Sequence, residues 1–244
     1  MRNLMMTQPA VYQRKPALYD RLKDLMHYSE LKRLAYNILA QQQKKRFRTL
    51  AVLSAFPMEG KTLFCAAAAM AYVDTCRSNV LVVDTTTYHN PKSLNLKDCL
   101  DPSFPQIDYL SLAERRTKSN GTNGAHAMPI DPRLARQQPT VEIEVVKNTA
   151  VSVSVIKESD HALISKVAEE GAGQYGLVLL DTVPLMAGNK GNIDPLLVAH
   201  LSDASVLIAS PKLLNSSDLR ACLKIIEDPA IHLIGMVSNE EFFQ

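Results

Sequence analysis

The chain has 244 residues, of which 46% are hydrophobic and 21% charged, with a formal net charge of +2 at pH 7. This composition is ample for a packed core, and so small a net charge argues against general nucleic-acid binding. The cysteines form neither a CxxC pair nor a metal-ligand spacing, and we see no secretory signal and no membrane-length apolar run, so we expect a soluble cytoplasmic protein.

The N-terminal part of the chain divides into a polar start and a helical stretch. Residues 1–15 are polar and contain proline, and we expect them to be flexible. From 16 to 43 the apolar spacing predicts two helices, the first striped by Leu18, Leu22, Leu25 and Met26, the second beginning near an N-cap at Ser29. We therefore expect residues 16–244 to form a single domain with an N-terminal helical extension.

Strands and helices alternate along the rest of the chain. The predicted strands are 49–54, 80–84, 141–146, 151–156, 177–181, 204–209 and 231–237. The predicted helices are 61–74, 160–170, 194–201 and 216–226. Several strands are nearly continuous runs of Val, Ile and Leu, which is typical of strands buried on both faces of a parallel sheet. The pattern predicts an α/β domain with a doubly wound, mostly parallel sheet.

Residues 101–140 are the exception to this alternation. They contain five prolines and show little periodicity. We expect a long loop here, either functional or disordered, because structureless connections of this length are uncommon in compact domains.

The most informative stretch runs from Thr49 to Thr62 and reads TLAVLSAFPMEGKT. It predicts a buried strand, a tight loop, and Gly60-Lys61-Thr62 at the start of an apolar helix, which is the layout of a phosphate-binding loop. Lys61 would reach the β- and γ-phosphates, and the Thr62 hydroxyl would bind Mg²⁺. The residues expected around the phosphates are Pro57, Met58, Glu59, Gly60, Lys61, Thr62 and Leu63.

This phosphate loop, residues 55–62, is poor in glycine. Ala55 stands where the first glycine is usual, and Met58 lies inside the loop. Glu59 directly precedes the Gly-Lys pair, and we expect its side chain to be exposed and to have no role of its own.

Two aspartates follow buried strands that would lie beside the phosphate loop. Asp181 ends the strand 177–181 and is expected to support Mg²⁺, the alternative being an Asp that caps a turn. Asp84 ends the strand 80–84 and could polarise an attacking water or hydroxyl, the alternative being a turn residue beside Thr85 and Thr86. Because carboxyl ends of parallel strands share one sheet edge, we expect Lys61, Asp84 and Asp181 to form the catalytic group, with Thr62, Asp84 and Asp181 at the metal.

Three phrases together resemble the bacterial tyrosine kinases (BY-kinases), a branch of the MinD/ParA-type phosphate-loop ATPases. They are SAFPMEGKT at 54–62, LVVD at 81–84 and YGLVLLDTVP at 175–184. Two further phrases, LSDASVLIA at 201–209 and LIGMVSN at 233–239, are similar to the last core strands of that family. Phe56 stands where the chromosome- and septum-positioning relatives carry a signature lysine, and Pro57 is near the loop start as in the kinases, so the resemblance favours the kinase branch.

The resemblance implies a protein that uses ATP and Mg²⁺ and regulates exopolysaccharide polymerisation and export as a tyrosine-protein kinase. It implies a partner as well, a membrane polysaccharide co-polymerase or chain-length regulator that would recruit the chain to the inner face of the membrane. The helix carrying Glu30 and Arg33 looks like the one through which such kinases form rings, which implies a homo-oligomer.

The sequence also departs from the family pattern. Thr86 replaces the second acid of its Asp-x-Asp, Tyr36 replaces the second arginine of the ring helix, and the C-terminal tyrosine cluster is absent, since the last tyrosine is Tyr175. We therefore expect no autophosphorylation on a tail. The alternatives are a catalytically weak or inactive nucleotide-sensing subunit of the same machinery and a ParA/MinD-like positioning ATPase, which Phe56 disfavours.

Overall fold

The computed structural model describes Leu22 and residues 29–86, 96–100, 143–145, 150–156, 161–186, 192–210 and 217–239. Leu22 is fully buried in the core. The predictions of a flexible segment at 1–15, of the first N-terminal helix beyond Leu22, and of a long loop at 101–140 lie outside the described residues.

The described chain alternates helices and strands, as the sequence predicts. The helices are α1 (Ser29–Lys45), α2 (Lys61–Cys76), α3 (Leu96–Leu100), α4 (His161–Gln174), α5 (Pro195–Leu201) and α6 (Ser217–Ile226). The strands are β1 (Thr49–Ser54), β2 (Val80–Asp84), β3 (Ile143–Val145), β4 (Val151–Val155), β5 (Leu177–Asp181), β6 (Ala204–Ala209) and β7 (Leu233–Ser238). Within the described ranges, none of these helices has the length and apolar character needed to span a bilayer.

Several element boundaries differ from the prediction by one to four residues, and two of them have a local reason. Asp194 precedes α5 and caps it, because its Oδ1 accepts the backbone N–H of Leu196 at 2.9 Å and Pro195 occupies the first helical turn. The last strand begins at Leu233 and not at Ile231, because the N–H of Ile231 turns back to the carbonyl of Asp228 at 2.9 Å.

The seven described strands form one sheet in the order β3-β4-β2-β5-β1-β6-β7. Six of them are parallel, and β3 pairs antiparallel with β4 at the edge. The prediction of a doubly wound, mostly parallel sheet is confirmed. The centre of the sheet is the triplet β2-β5-β1, which brings together the ends of the strands that carry the candidate site residues.

Alternate residues of each central strand pack on opposite faces of the sheet. In β1, Leu50 and Val52 join a core with α1, α2 and α3, while Ala51 and Leu53 join a second core with α4, α5 and α6. Each strand is therefore buried on both sides, which explains why the sequence shows continuous apolar runs without alternation.

Helix α4 lies close against the sheet at Gly171. A Cβ at this position would lie 2.9 Å from Cδ2 of Leu81 and 3.0 Å from Cγ2 of Val178. At Gly173, in the same helix, a Cβ would have no heavy atom within 4 Å. Alanine at Gly171 would therefore change both packing and helix propensity, whereas alanine at Gly173 would change helix propensity alone.

We expect Gly171→Ala to lower the free energy of unfolding by about 1–3 kcal/mol, because overpacking outweighs the better helix propensity of alanine. Gly173→Ala is the matched control and should be neutral or add up to about 1 kcal/mol. Urea unfolding of both variants and the wild type measures the difference. Equal effects at the two positions would show that the protein accommodates the added methyl group at Gly171 without a loss of stability.

Candidate functional site

The phosphate loop turns sharply between β1 and α2. Gly60 has φ 86°, which glycine tolerates, and Met58 has φ 67°. A left-handed backbone at a non-glycine residue costs ~1–2 kcal/mol, so something must hold Met58 there. Gly60 precedes α2 and makes no side-chain cap. The start of α2 therefore offers backbone N–H groups and the positive end of a helix dipole, which together favour an anion.

Lys61 is buried inside the turn of the loop. Its side chain is 7% exposed, and Nζ donates a hydrogen bond of 2.7 Å to Oγ of Ser54, the last residue of β1. Burial lowers the pKa of Lys61, and the negative charges of Asp181 and Glu59 oppose that change. Thr62 follows at the second position of α2 and is half-buried. A buried ammonium so placed can bind a phosphate at little further desolvation cost.

Asp84 and Asp181 face each other across neighbouring strands. They are register partners in the β2–β5 pairing, and each is 2% exposed. Oδ1 of Asp84 accepts the N–H of Thr86 at 2.9 Å. The carbonyl of Asp181 accepts both the N–H of Thr85, at 3.0 Å, and its hydroxyl, at 2.8 Å. The structure thus brings together Lys61, Asp84 and Asp181, the three predicted catalytic residues.

Burial raises the pKa of two side chains in this site, Asp84 and Cys65. It raises the pKa of Asp84 to about 6, against the smaller lowering effect of the hydrogen bond from Thr86. It also raises the pKa of Cys65 well above its usual range, and the charge of Asp181 adds to this effect. Cys65 is therefore a neutral thiol behind the site, and all four cysteines are free.

The segment after β5 supports the start of the loop, which the sequence did not reveal. The hydroxyl of Thr182 donates to the carbonyl of Val52 at 2.7 Å. The backbone N–H groups of Leu185 and Met186 donate to the carbonyls of Ser54, at 2.9 Å, and Ala55, at 3.0 Å. The chain leaving Asp181 therefore holds the beginning of the phosphate loop against β5.

The expectation for Glu59 is wrong. Its side chain is 3% exposed, and each carboxylate oxygen accepts a backbone N–H, Oε2 from Phe56 at 2.8 Å and Oε1 from Ser210 at 3.0 Å. Its own carbonyl accepts Nδ2 of Asn239 at 2.9 Å. The bond to Phe56, three residues earlier, repeats the spacing of a capping box, which is the sequence signal that could have identified it. Ser210 and Asn239 carried no such signal.

The remaining predicted residues lie at different depths. Pro57 and Met58 are exposed at the rim of the loop, with Met58 45% exposed. Leu63 is 7% exposed and belongs to the core, so only its backbone is left for a phosphate. The side chains that can touch a nucleotide are thus fewer than the sequence suggested.

The donor set fits Mg²⁺. The Thr62 hydroxyl and the carboxylates of Asp84 and Asp181 are hard oxygen donors, which Mg²⁺ prefers, and it commonly completes its shell with phosphate oxygens and water. Among the described residues, no group of three or more His, Cys, Asp or Glu side chains could hold a metal, so a cation at this site would rest on two carboxylates, the Thr62 hydroxyl, phosphate and water. When both are ionised, these two buried carboxylates exceed the single buried ammonium by one negative charge, which favours a cation at this end of the sheet.

Comparison with known proteins supports the fold. No family model and no curated protein matches the sequence. Among solved structures, the kinase domain of Escherichia coli tyrosine kinase ETK is similar with a TM-score of 0.54 and 17% identity, covering 83% of this chain and 70% of that one. The VpsO kinase domain has a TM-score of 0.55 and 15% identity, covering 90% and 96%.

A septum-positioning protein is also similar. MinD from Pyrococcus horikoshii, solved in complex with Mg-ADP, has a TM-score of 0.50 and 16% identity, and the match covers 79% of this chain and 70% of that one. At these identities the likeness concerns the fold alone. The chain shares its fold with these tyrosine-kinase domains and with MinD.

Asp84→Asn should make the protein more stable at neutral pH. Burial raises the pKa of folded Asp84 from 3.8 to about 6, so its contribution to stability is fully present below pH 4 and is lost as the pH rises through 6. Asparagine keeps the acceptor for Thr86 and removes the buried charge. We expect a gain of ~1–3 kcal/mol at pH 7.5 and none at pH 4.

Urea unfolding across this pH range, without metal or nucleotide, measures the effect. A variant that is equally or less stable at pH 7.5 would show that ionised Asp84 is well solvated in the folded chain.

Proposed function

We propose that the chain binds Mg-ATP at the carboxyl ends of β1, β2 and β5. The observation that carries this proposal is the buried ammonium of Lys61, which stands at the first position of α2 and feels the negative charge of Asp181. The N-terminal end of α2 and Lys61 would hold the phosphates, with Thr62, Asp84 and Asp181 around the metal. Mg²⁺, when bound, would neutralise part of the phosphate charge.

We propose phosphoryl transfer, of the kind carried out by tyrosine kinases, as the reaction. Such transfer depends mainly on positioning and charge neutralisation, which Lys61 and the carboxylates could supply. Asp84 would be the base that takes a proton from the attacking hydroxyl, because a carboxylate whose pKa is about 6 is ionised at neutral pH and still basic enough to accept it. The resemblance to tyrosine kinases points to exopolysaccharide synthesis as the process.

A nucleotide-sensing subunit is the second candidate function. Thr86 stands where a second acid would be expected, so Asp84 has no neighbouring carboxylate at that position. One oxygen of Asp84 also accepts the backbone N–H of Thr86. Occupancy of the site would then change assembly without transferring phosphate. A positioning ATPase of the ParA/MinD kind ranks third, since Phe56 lacks the cationic side chain of that class.

Lys61→Ala should weaken binding of Mg-ADP by at least about 100-fold, because the charged contact to the phosphates is lost. Thr62→Ala should weaken binding only when Mg²⁺ is present. Lys44→Ala, which removes an exposed lysine in the last turn of α1, is the matched control and should bind as the wild type. Calorimetric titration with and without Mg²⁺ gives the affinities.

Incubation with labelled Mg-ATP separates the two candidate functions. Transfer to tyrosine in the wild type, absent in Lys61→Ala, supports the kinase, whereas binding without transfer supports the sensor. A wild-type protein that binds no nucleotide would contradict both.

We propose that α1 mediates self-association. Its inner side buries Ala35, Ile38 and Gln42, while Glu30 and Arg33 are exposed and Tyr36 is 58% exposed. An exposed aromatic residue beside opposite charges is a composition suited to a protein interface. The partner we propose from the family resemblance is a membrane polysaccharide co-polymerase or chain-length regulator, which would bring the chain to the membrane.

Arg33→Glu should shift the protein toward monomer by about 10-fold or more in dissociation constant, since it places like charges in the interface. Lys44→Glu reverses a charge in the last turn of the same helix and should leave assembly unchanged. Sedimentation velocity with Mg-ADP measures both. A wild-type monomer at all concentrations would rule out this role for α1.

A further inference from the structure

Glu59 lies between the two left-handed residues of the phosphate loop. Met58 has φ 67° and Gly60 has φ 86°. A loop with several glycines reaches such a backbone without help, but in this loop only Gly60 has that freedom. The shape of the loop at Met58 must therefore be enforced by contacts.

The carboxylate of Glu59 supplies two of these contacts. Oε2 accepts the N–H of Phe56 at 2.8 Å, which closes the loop on itself. Oε1 accepts the N–H of Ser210 at 3.0 Å, which fixes the loop to the end of β6. Hydrogen bonds to an ionised acceptor are roughly twice as strong as neutral ones. The bond from Ser210 is buried, and the bond from Phe56 is partly buried.

The main chain of Glu59 supplies a third contact. Its carbonyl accepts Nδ2 of Asn239 at 2.9 Å, at the end of β7. One residue thus connects the phosphate loop to two outer strands, while both of its carboxylate oxygens are engaged by backbone N–H groups.

We propose that Glu59 is the positioning residue that gives this glycine-poor loop its phosphate-binding shape, in the role that extra glycines fill elsewhere. The proposal rests on the proposed function, because the shape matters for binding phosphates. Glu59 acts through the loop backbone and does not itself contact the nucleotide.

A cycle of four proteins tests the proposal: wild type, Glu59→Ala, Met58→Gly and the double variant. Glu59→Ala should weaken Mg-ADP binding by about 10–100-fold, because two charge-assisted hydrogen bonds are lost. Met58→Gly alone should stay within about threefold of the wild type. The double variant should recover most of the lost affinity, since glycine adopts the left-handed backbone unaided.

Two further variants test whether the effect of Glu59 on affinity comes from its negative charge or from a general loss of protein stability. Glu59→Gln keeps one acceptor oxygen and should fall between the wild type and Glu59→Ala. Gly171→Ala is expected to destabilise the core and should leave the affinity unchanged at a temperature where both proteins are folded. Tighter binding in Glu59→Ala, or a double variant as weak as Glu59→Ala, would overturn the proposal.

Hydrogen exchange provides a readout without nucleotide. In the wild type the amides of Phe56 and Ser210 should be protected, and Glu59→Ala should expose both while leaving the amides of α4 protected. Unchanged protection would overturn the proposal even where nucleotide binds. If the wild type binds no nucleotide, the proposed function fails, and the amide protection alone decides whether Glu59 holds the loop.

Discussion

The site depends on one charge arrangement, a buried ammonium held opposite buried carboxylates at the centre of the sheet. Lys61 lies under the end of β1, and Asp84 and Asp181 end the two strands on that side. Burial opposes the charged form of both Lys61 and Asp84. The site is therefore electrostatically strained without a ligand, and a phosphate group with a divalent cation is the kind of ligand that would relieve that strain.

Most of the fold could be predicted from the sequence, because its signals are local. Continuous runs of Val, Ile and Leu identified β1, β2, β5 and β6. The edge strand β3 pairs antiparallel with β4, which is consistent with a prediction of a mostly parallel sheet. The sequence also predicted that Lys61, Asp84 and Asp181 lie close together, because the carboxyl ends of parallel strands share one edge of the sheet. The start of the last strand was wrong by two residues, because a turn bond between Ile231 and Asp228 has no signature in composition.

The site was predicted less completely, because its supports are distant in sequence. Glu59 accepts an N–H from Ser210, 151 positions later, and such a contact depends on which strands are neighbours. Glutamate in a short loop is usually exposed, so the expectation from the sequence failed because tertiary packing buries this side chain. The left-handed backbone of Met58 could not be predicted either, because it depends on the three-dimensional shape of the loop.

The position of Asn239 has a further consequence. It follows β7, one of the two edge strands, in which no residue is fully buried, whereas β1, β2, β5 and β6 are buried throughout. A strand with few buried side chains is expected to open at a lower free energy than the core strands. Each fraying event of β7 would detach the Asn239 amide from the carbonyl of Glu59 while the central strands stay intact. The phosphate loop thus begins at a fully buried central strand and is also tied, through Asn239, to the end of an exposed edge strand.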